Sequence, residues 1–566
     1  MVKRKQLKRI HIVQLIITLF IILLINFISS LVFHRFDLTT EKRYSLSEET
    51  RSILKELDEL VYIRVYLEGD LPVGFTRLKT SIRELLDEFR AYAPQNIQYE
   101  FIDPVEDPDP QIRRNLFNQL YNIGLQPTNV KVRGKDGSSS QKIVFPGAVI
   151  SFEEADVAVN LLKNNPGLPG EVNLHQSIQS LEYEFISMIR TLSSDNIAKV
   201  AFLEGHGELD AYQVGDITKD LANFYQVDRG APGGRYGSLD NYQAVIIAKP
   251  VKTFSEADKF VIDQYIMKGG KVLWLLDPVQ VSMDSLFMGM TFALYQPLNI
   301  EDQLFRYGVR LNPHLVKDIQ CHVIPVNKGL IGAQAQWELS PWYYFPLISP
   351  GIKHPITRSL NMIKIEFGSD IDTVGENPEV KKTVLLSTSP YSRVVAVPAE
   401  INLRETEQQA AQSDYNRAHL PLAIMLEGRF ESVFSNRSVP DIQAEGPIQV
   451  DEVSQPTRMI IIADGDIIRN EVIDSPNGPV MAPLGFDKYT SQTFGNKEFI
   501  LNAINYLTDE TGLISLRGRE FRMRLLDRQR IQEESEKWKV INTAIPILLV
   551  ISFGAGVSVY RRRKYR

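Results

Sequence analysis

The sequence predicts an α/β protein whose large middle region is held between two membrane-spanning helices. Two apolar runs, Ile10 to Phe33 and Ile541 to Tyr560, lie near the two ends of the 566 residues. Each run reaches the roughly 20 residues that a helix needs to cross a bilayer. Between them, apolar strands alternate with segments of helical periodicity, which is typical of a parallel sheet covered on both faces.

Basic clusters flank both apolar runs and predict their orientation. Each run has five basic residues on its terminal side: Lys3, Arg4, Lys5, Lys8 and Arg9 at one end, and Arg561, Arg562, Arg563, Lys564 and Arg566 at the other. Short basic tails stay on the cytoplasmic side of a membrane. We therefore expect a two-pass protein of the cytoplasmic (inner) membrane, with both termini cytoplasmic and the main domain periplasmic.

The alternative for the first run is a cleaved signal peptide. Such a peptide has an apolar region of about 7–15 residues that ends at a small-x-small site. The run here is longer, and Phe33-His34-Arg35-Phe36 follows it without such a site. These features favour retention as an anchor.

The first elements after this run predict a small α/β domain. Ser47, followed by apolar residues at helical spacing, indicates a capped helix. Strands and helices then follow in the order β-α-β-α-β-β-α, at Val61–Leu67, Leu78–Tyr92, Ile97–Ile102, Gln111–Tyr121, Val130–Val132, Lys142–Ile150 and Ser177–Leu192. This order predicts a thioredoxin-like domain, which here lacks a cysteine pair and is interpreted as a scaffold or binding module.

A second α/β unit begins near Ala198. Its strands are predicted at Lys199–Glu204, Ala244–Lys249, Lys271–Leu276 and, late in the chain, Arg458–Ala463. Its helices are predicted at Ala211–Phe224, Ser255–Lys268 and Lys497–Thr508. The pattern favours a flavodoxin- or class I amidotransferase-like sheet. An aromatic cluster lies in the long stretch before the last strand, where core packing is favoured over an exposed docking patch: Trp337, Trp342, Tyr343, Tyr344 and Phe345.

These patterns predict seven segments. They are a basic tail (1–9), a first membrane helix (10–33), a thioredoxin-like domain (34–195), an amidotransferase-like domain (196–514) with an insertion at about 311–455, a charged stalk helix (515–539), a second membrane helix (540–560) and a second basic tail (561–566).

Polar residues follow the predicted strands of the second unit, where open α/β sheets bind ligands. The candidate ligand-binding residues are Glu204, His206, Glu208, Asp277, Asp464 and Asp466. Carboxylates and a histidine that converge could bind a cation or act as acid and base. The favoured alternative is that they cap helices and satisfy backbone donors in turns.

Other classes of site are disfavoured. The sequence contains one cysteine, Cys321, in a context without the glycine-flanked turn that a nucleophile needs, so a half-buried free thiol is expected. It contains neither GxxxxGK[ST] nor HExxH, so we expect no nucleotide site, no metal and no cofactor. The middle region has no basic stripe interleaved with aromatic residues, so no nucleic-acid partner is expected.

The layout resembles the gliding-motility-associated GldG proteins of the ABC-transporter auxiliary group. The resemblance lies in FDLTTEKRYSLSEET (36–50), SLEYEFISMIRTL (180–192), AFLEGHGE (201–208), SPWYYFPLI (340–348), HPIT (354–357), ADGDIIRN (463–470) and the pattern from Trp538 to RRRKYR. None of these is a catalytic signature, but their order between two anchors is fairly specific.

The resemblance implies a non-catalytic accessory subunit of an ABC transporter complex that serves gliding motility and associated protein secretion. It implies as partners an ABC permease subunit and a cytoplasmic ABC ATPase, and other cell-envelope motility or secretion proteins are further candidates. Because the chain has no nucleotide motif, energy would come from the ATPase. The alternatives are a solute-binding component that captures a small ligand for the transporter and, less favoured, an envelope hydrolase.

Overall fold

A computed structural model shows a mixed α/β protein that divides into two compact units. One unit is Ser45–Arg519, and the other combines Met1–Tyr44 with Glu520–Arg566. The structure describes residues 12–24, 26, 46–133, 139–153, 155–163, 169–194, 197–331, 334–351, 354–358, 360–407, 410–473, 478–509, 512–518 and 528–564.

The terminal unit contains two apolar helices, α1 (Ile12–Leu24) and the last helix, α11 (Arg528–Lys564). Within α11, the span Glu534–Arg563 is the only part of the described chain long and apolar enough to cross a membrane. The charged segment from Arg528 to Lys539 and the apolar run after it form one continuous helix. The described part of α1 is shorter than a bilayer requires, and residues 27–33 of the predicted first anchor lie outside the described residues. Two-pass topology therefore stays a prediction.

The compact unit Ser45–Arg519 opens with helix α2 (Glu48–Glu56), whose N-cap Ser47 accepts the backbone N–H of Thr50 as predicted. The next elements are β1 (Val61–Val65), α3 (Val73–Tyr92), β2 (Ile97–Phe101), α4 (Pro110–Asn122), β3 (Thr128–Arg133), β4 (Ser139–Val144), β5 (Gly147–Phe152), β6 (Ala155–Asn160) and α5 (Gly170–Leu192). Four of these strands form a sheet in the order β2-β1-β5-β6. In this sheet β1 and β2 are parallel and β5 is antiparallel to β1.

The hairpin in this sheet region differs from its prediction. The expected single strand Lys142–Ile150 is divided into β4, which pairs with β3, and β5, which joins the four-stranded sheet. The break falls at Phe145-Pro146, because proline has no backbone N–H to donate to a ladder. Strand β6 was not predicted, and the loop 134–138 lies outside the described residues.

A seven-stranded sheet forms the centre of the remaining chain. Its elements up to the fourth parallel strand are β7 (Lys199–Leu203), α6 (Gly215–Leu221), β8 (Gln226–Gly230), β9 (Ala244–Ala248), α7 (Glu256–Met267) and β10 (Lys271–Leu275). After these, the chain forms β11 (Val279–Gln280), α8 (Met283–Phe287), β12 (Met290–Tyr295), α9 (Glu301–Tyr307), β13 (Val309–Leu311), β14 (His314–Asp318), β15 (Cys321–Ile331), β16 (Gln334–Ile348), β17 (Ile363–Lys364), β18 (Ile371–Thr373), β19 (Val380–Ser387), β20 (Ser392–Ala396), β21 (Ala399–Asn402), β22 (Pro421–Gly428) and β23 (Thr457–Ile462). It closes with the short strands β24 (Val472–Ile473), β25 (Val480–Met481), β26 (Phe486–Asp487) and β27 (Gln492–Thr493), and with helix α10 (Asn496–Thr508).

The order of the sheet is β19-β22-β23-β10-β9-β7-β8. The predicted recruitment of a late strand is confirmed, because β23 pairs in parallel with β10. Strand β8 was missed, and the helix expected at Ala211–Phe224 is only seven residues long. The stretch from about 311 to 455 is not merely appended, because its strands β19 and β22 extend the sheet beyond β23 in antiparallel fashion.

The aromatic cluster packs mainly inward. Trp342, Tyr344 and Phe345 on β16 are buried in a local core, whereas Trp337 is 62% exposed. The start of the predicted stalk also belongs to the compact unit, because Leu516 is buried in the core of the β2-β1-β5-β6 sheet. The described rest of the predicted stalk, from Arg528 to Lys539, is helical.

Candidate functional site

His206 lies in a tight turn at the carboxyl end of β7. Its neighbours Gly205 and Gly207 have φ values of 115° and 75°, a left-handed conformation that glycine adopts without strain. The turn brings the His206 carbonyl to the backbone N–H groups of Val251 and Lys252, at 2.9 and 2.8 Å. The sequence GHG therefore fixes the histidine against the segment that follows β9.

The His206 ring has a partner at each nitrogen. Nδ1 lies 3.1 Å from Oε1 of Glu208, and Nε2 lies 3.2 Å from Oδ2 of Asp258, in the first turn of α7. The ring also stacks on Phe254 with centroids 3.8 Å apart, and the residue is 5% exposed. Burial alone would lower the pKa of His206, but hydrogen bonds and charge from Asp258 and Glu208 raise it to about 9.

Glu204 points into a different arrangement. Its Oε1 accepts a hydrogen bond from Arg229 Nε at 2.8 Å, and Arg229 also donates to the Leu209 carbonyl. The Glu204 side chain is 45% exposed. Of the three candidates after β7, only His206 and Glu208 are joined directly to each other.

The other three candidates meet around Lys249, the residue that follows β9. Lys249 Nζ lies 3.1 Å from Asp277 Oδ2 and also forms a close ion pair with Asp466. Asp277 in turn accepts the backbone N–H of Gly465, between the two aspartates of the ADGD sequence. Lys249 has a φ of 55°, a strained conformation for a residue other than glycine.

Asp464 is fully buried behind this pair. One oxygen accepts the Asp466 N–H at 2.8 Å, and the other accepts the Glu366 N–H at 3.0 Å. Burial and the negative charges of Asp277 and Asp466 raise the pKa of Asp464 well above its ordinary value. Through its two oxygens Asp464 therefore anchors two backbone segments, those of Asp466 and Glu366.

The segment around Glu366 lies across the carboxyl edge of the sheet. Glu366 pairs with Lys364 at 2.8 Å and with Arg469 at 3.1 Å, and Ser369 donates to the Ala463 carbonyl at 2.9 Å. Burial opposes ionisation of Glu366, but Lys364 and Arg469 lower its pKa to about 2. Arg469 also lies 3.0 Å from Asp466.

We name the residues around Lys249 the ionic cluster: Lys249, Asp277, Lys364, Glu366, Asp464, Asp466 and Arg469. It holds four acidic side chains and three basic side chains, the latter being Lys249, Lys364 and Arg469. Among the described residues, no group of three or more histidine, cysteine, aspartate or glutamate side chains could hold a metal ion.

The structure therefore brings Asp277, Asp464 and Asp466 together and places His206 with Glu208 in a separate set. Ligand binding by the six candidates stays a prediction. Sequence reasoning missed the partners Lys249, Asp258, Glu366 and Arg469. Lys249 directly follows the strand AVIIA and Arg469 ends ADGDIIR, so both carried a local signal, whereas Glu366 and Asp258 carried none.

Cys321 is a half-buried free thiol, as expected. Burial raises the pKa of Cys321 to about 12, which leaves the thiol protonated at neutral pH. The adjacent His322 lies 3.1 Å from Asp487, so its ring faces a carboxylate.

A cavity of about 400 Å³ lies at the opposite, amino-terminal edge of the large sheet. It is bounded by α5 and α10 and by the chain that enters β7 and β8. Tyr225 donates to Asn505 at its wall, at 2.8 Å, and Lys163 pairs with Glu184 at 2.7 Å. None of the six candidate residues lines it.

One similar protein and two solved structures resemble this chain, and none of them indicates the chemistry of the candidate site. An uncharacterized protein of Borreliella burgdorferi is 21% identical over 449 residues, which cover 76% of this chain and 80% of that protein. Among solved structures, the mmIFT52 N-terminal domain has a TM-score of 0.31 at 14% identity, covering 55% of this chain and 98% of that one. A catalytic mutant of a GH42 β-galactosidase from G. stearothermophilus has a TM-score of 0.21 at 8% identity, covering 77% and 57%. These scores are too low to carry a structural argument.

Family models are more informative. Residues 40–151 match a domain of unknown function. Residues 198–503, more than half of the chain, match the family described as ABC-type uncharacterized transport system, an auxiliary family. The chain therefore belongs to this ABC-transporter auxiliary family.

Proposed function

We propose that the protein is a non-catalytic, membrane-anchored accessory subunit of an ABC transporter, with its large domain outside the cytoplasmic membrane. Family membership over residues 198–503 is the observation that carries the proposal. The apolar span of α11, ended by basic residues, supports a membrane anchor with a cytoplasmic C-terminus. The first apolar run would be the second anchor.

The geometry at the carboxyl edge of the sheet supports a structural role there. Lys249 neutralises Asp277 and Asp466, and the Glu366 segment crosses the place where open α/β sheets bind their ligands. An acid or base that is held in a network of ion pairs is poorly placed to exchange protons with a substrate. This favours a scaffold over an enzyme.

The finer assignments rest on the sequence resemblance. The partners would be a permease subunit and a cytoplasmic ATPase, and the process would be gliding motility with its associated protein secretion. The connectivity of the β2-β1-β5-β6 sheet supports a thioredoxin-like first domain, and the parallel core of the large sheet supports a flavodoxin- or amidotransferase-like second domain.

Co-purification tests this proposal. The full-length chain, tagged, is extracted from its own membranes in mild detergent, and an unrelated membrane protein with the same tag serves as the control. We expect a permease and an ATPase to be recovered in a fixed ratio. Recovery of the chain alone would contradict the accessory-subunit proposal.

A solute-binding component is the second candidate, and the 400 Å³ cavity favours it. A small-molecule screen that follows thermal unfolding of the full chain can test it. Ser187 lines the cavity, and Ser187→Trp should fill it. A compound that stabilises the natural chain should then no longer stabilise this variant, provided that the variant's own unfolding temperature is unchanged. A screen without hits, or a hit that Ser187→Trp does not affect, would contradict solute binding at this cavity.

A further inference from the structure

A stripe of apolar side chains lies open on the small sheet formed by β11, β12 and β21. Met290, Phe292 and Leu294 alternate with the buried Thr291 and Ala293 and are 41%, 55% and 50% exposed. Since alternate residues of a strand share a face, the three exposed side chains lie in one row. We name this row the β12 stripe.

The turn that leads into β12 extends the apolar character of this surface. Phe287 is 47% exposed and Met288 is 91% exposed. Single exposed apolar residues are ordinary, but five of them within eight consecutive positions are characteristic of an interaction surface. Methionine adapts its shape to a partner at low cost, which suits such a surface.

The border of the stripe is acidic. Glu400 lies directly opposite Phe292 in the β12–β21 register and is exposed, and Asp284 is exposed in the first turn of α8. No lysine or arginine occurs between residues 272 and 305. Arg404 follows β21 beyond the Met290 end of the stripe, whereas Glu400 lies beside Phe292 at its centre.

The charge around the stripe distinguishes between the partners that could bind an apolar surface. An anionic lipid surface would be repelled by the acidic border, and a second copy would bring two acidic borders together. A segment with apolar side chains flanked by lysine or arginine is complementary in both respects. Alternate residues on β12 are about 6.5 Å apart, close to the roughly 5–6 Å between helix neighbours at i and i+3 or i+4.

We propose that the β12 stripe is the docking surface for a basic amphipathic helix of a partner protein. The apolar face of that helix covers Met290, Phe292 and Leu294, and its basic residues pair with Glu400 and Asp284. This goes beyond the accessory role proposed above and does not depend on it, since a partner on this surface need not be a transporter subunit.

Photo-crosslinking in native membranes tests the proposal. A photoreactive phenylalanine analogue replaces Phe292 in the full-length chain, and the control carries it at Tyr121, which is 65% exposed on α4. We expect position 292 to link to one partner protein through a peptide with apolar residues at helical spacing and flanking lysines or arginines. Position 121 should not give this product.

The charge of the border is tested in the same experiment. Glu400→Lys, in a variant with an unchanged unfolding temperature, should lower the yield of the crosslink several-fold, and Glu400→Gln should lower it less. A product formed with a second copy, with lipid or with an acidic peptide would overturn the proposal. So would a yield no higher than that of the control position, or one that Glu400→Lys leaves unchanged.

Discussion

His206 is a candidate ligand-binding residue whose side chain and backbone carbonyl are all held by contacts within the protein. Both ring nitrogens, the ring face and the backbone carbonyl contact other residues, and all but the contact with Glu208 reach beyond its own turn, to α7 and to the segment between β9 and α7. Asp258, which faces Nε2 of His206, also accepts the Gly234 N–H at 2.8 Å. The hydrogen bond from His206 lowers the pKa of Asp258. The pair is therefore charged in the folded state.

The charge on His206 makes stability depend on pH. Its pKa rises from an ordinary 6.5 to about 9 on folding, so its contribution is complete below pH 6.5 and is lost as pH rises through 9. We expect His206→Gln to lower the free energy of unfolding by roughly 2–3 kcal/mol at pH 6 and by much less at pH 9.5. Chemical unfolding of the full chain at several pH values would measure this. A difference that does not vary with pH would contradict the charged histidine.

Lys249 holds the ionic cluster together, because it is the cation between Asp277 and Asp466. Lys249→Met leaves the partly buried Asp277 without its cation and leaves Asp466 with Arg469 alone, and we expect a loss of about 3–5 kcal/mol near pH 8. The loss should shrink as pH falls, because the pKa of Asp466 is raised by burial and this carboxyl then loses its charge. Lys252→Met, at an exposed lysine three residues later, is the matched control and should change stability by less than about 0.5 kcal/mol. Equal losses of stability in the two variants would show that the ionic cluster contributes nothing to the free energy of unfolding.

At the scale of elements, the large sheet depends on strands that are far apart in sequence. β22 lies between β19 and β23 and pairs with both in antiparallel register. Its last residue, Gly428, has a φ of 144° where it closely approaches the backbone that enters β19. The edge of the sheet thus requires a residue without a side chain at this position.

Gly428→Ala tests this close approach. An added Cβ would lie 1.9 Å from the Glu379 carbonyl oxygen, so β19 would have to move away from β22. Gly375→Ala is the control, because Gly375 also has a positive φ (72°) but nothing within 4 Å of the added atom. We expect a loss of about 1–2 kcal/mol from backbone strain in the control and a clearly larger loss at Gly428. Equal thermal unfolding temperatures for the two variants would contradict a tight β19–β22 edge.

At the scale of the whole molecule, the chain combines one large compact unit with two terminal apolar helices. The 37-residue α11 carries both the charged segment and the apolar span. The apolar span of α11 is long enough to cross a bilayer. Whether the N-terminal run anchors as well decides between one pass and two.

Truncation distinguishes these topologies. Under the two-anchor proposal, removal of residues 534–566 should leave the chain in the membrane pellet after alkaline carbonate extraction. Removal of residues 1–33 alone should do the same, and only the double truncation should release it. Release by the C-terminal truncation alone would show that the first run is not an anchor.

Labelling with a membrane-impermeant maleimide can then test the orientation. Single cysteines introduced at Lys3 or Lys564 should react only after the membrane is opened. Cys321 should add little background, since its raised pKa keeps the thiol protonated. Reaction in sealed cells would contradict cytoplasmic termini.

What the sequence determined by itself are the local features. Short apolar runs predicted β7, β9, β10 and β23, the Ser47 cap predicted α2, and apolar composition predicted the membrane-spanning part of α11. Each of these signals depends on residues that are close together in the sequence. The same reasoning placed all six candidates together at the carboxyl edge of the sheet. Only Asp277, Asp464 and Asp466 meet there, whereas His206 pairs with Glu208 and Glu204 pairs with Arg229. The tertiary structure alone decided that β19 and β22 complete the sheet, that Lys249 pairs with Asp277 and Asp466, and that Arg469 pairs with Asp466. These pairings join segments up to more than 200 residues apart and depend on burial and charge balance, which no local pattern encodes.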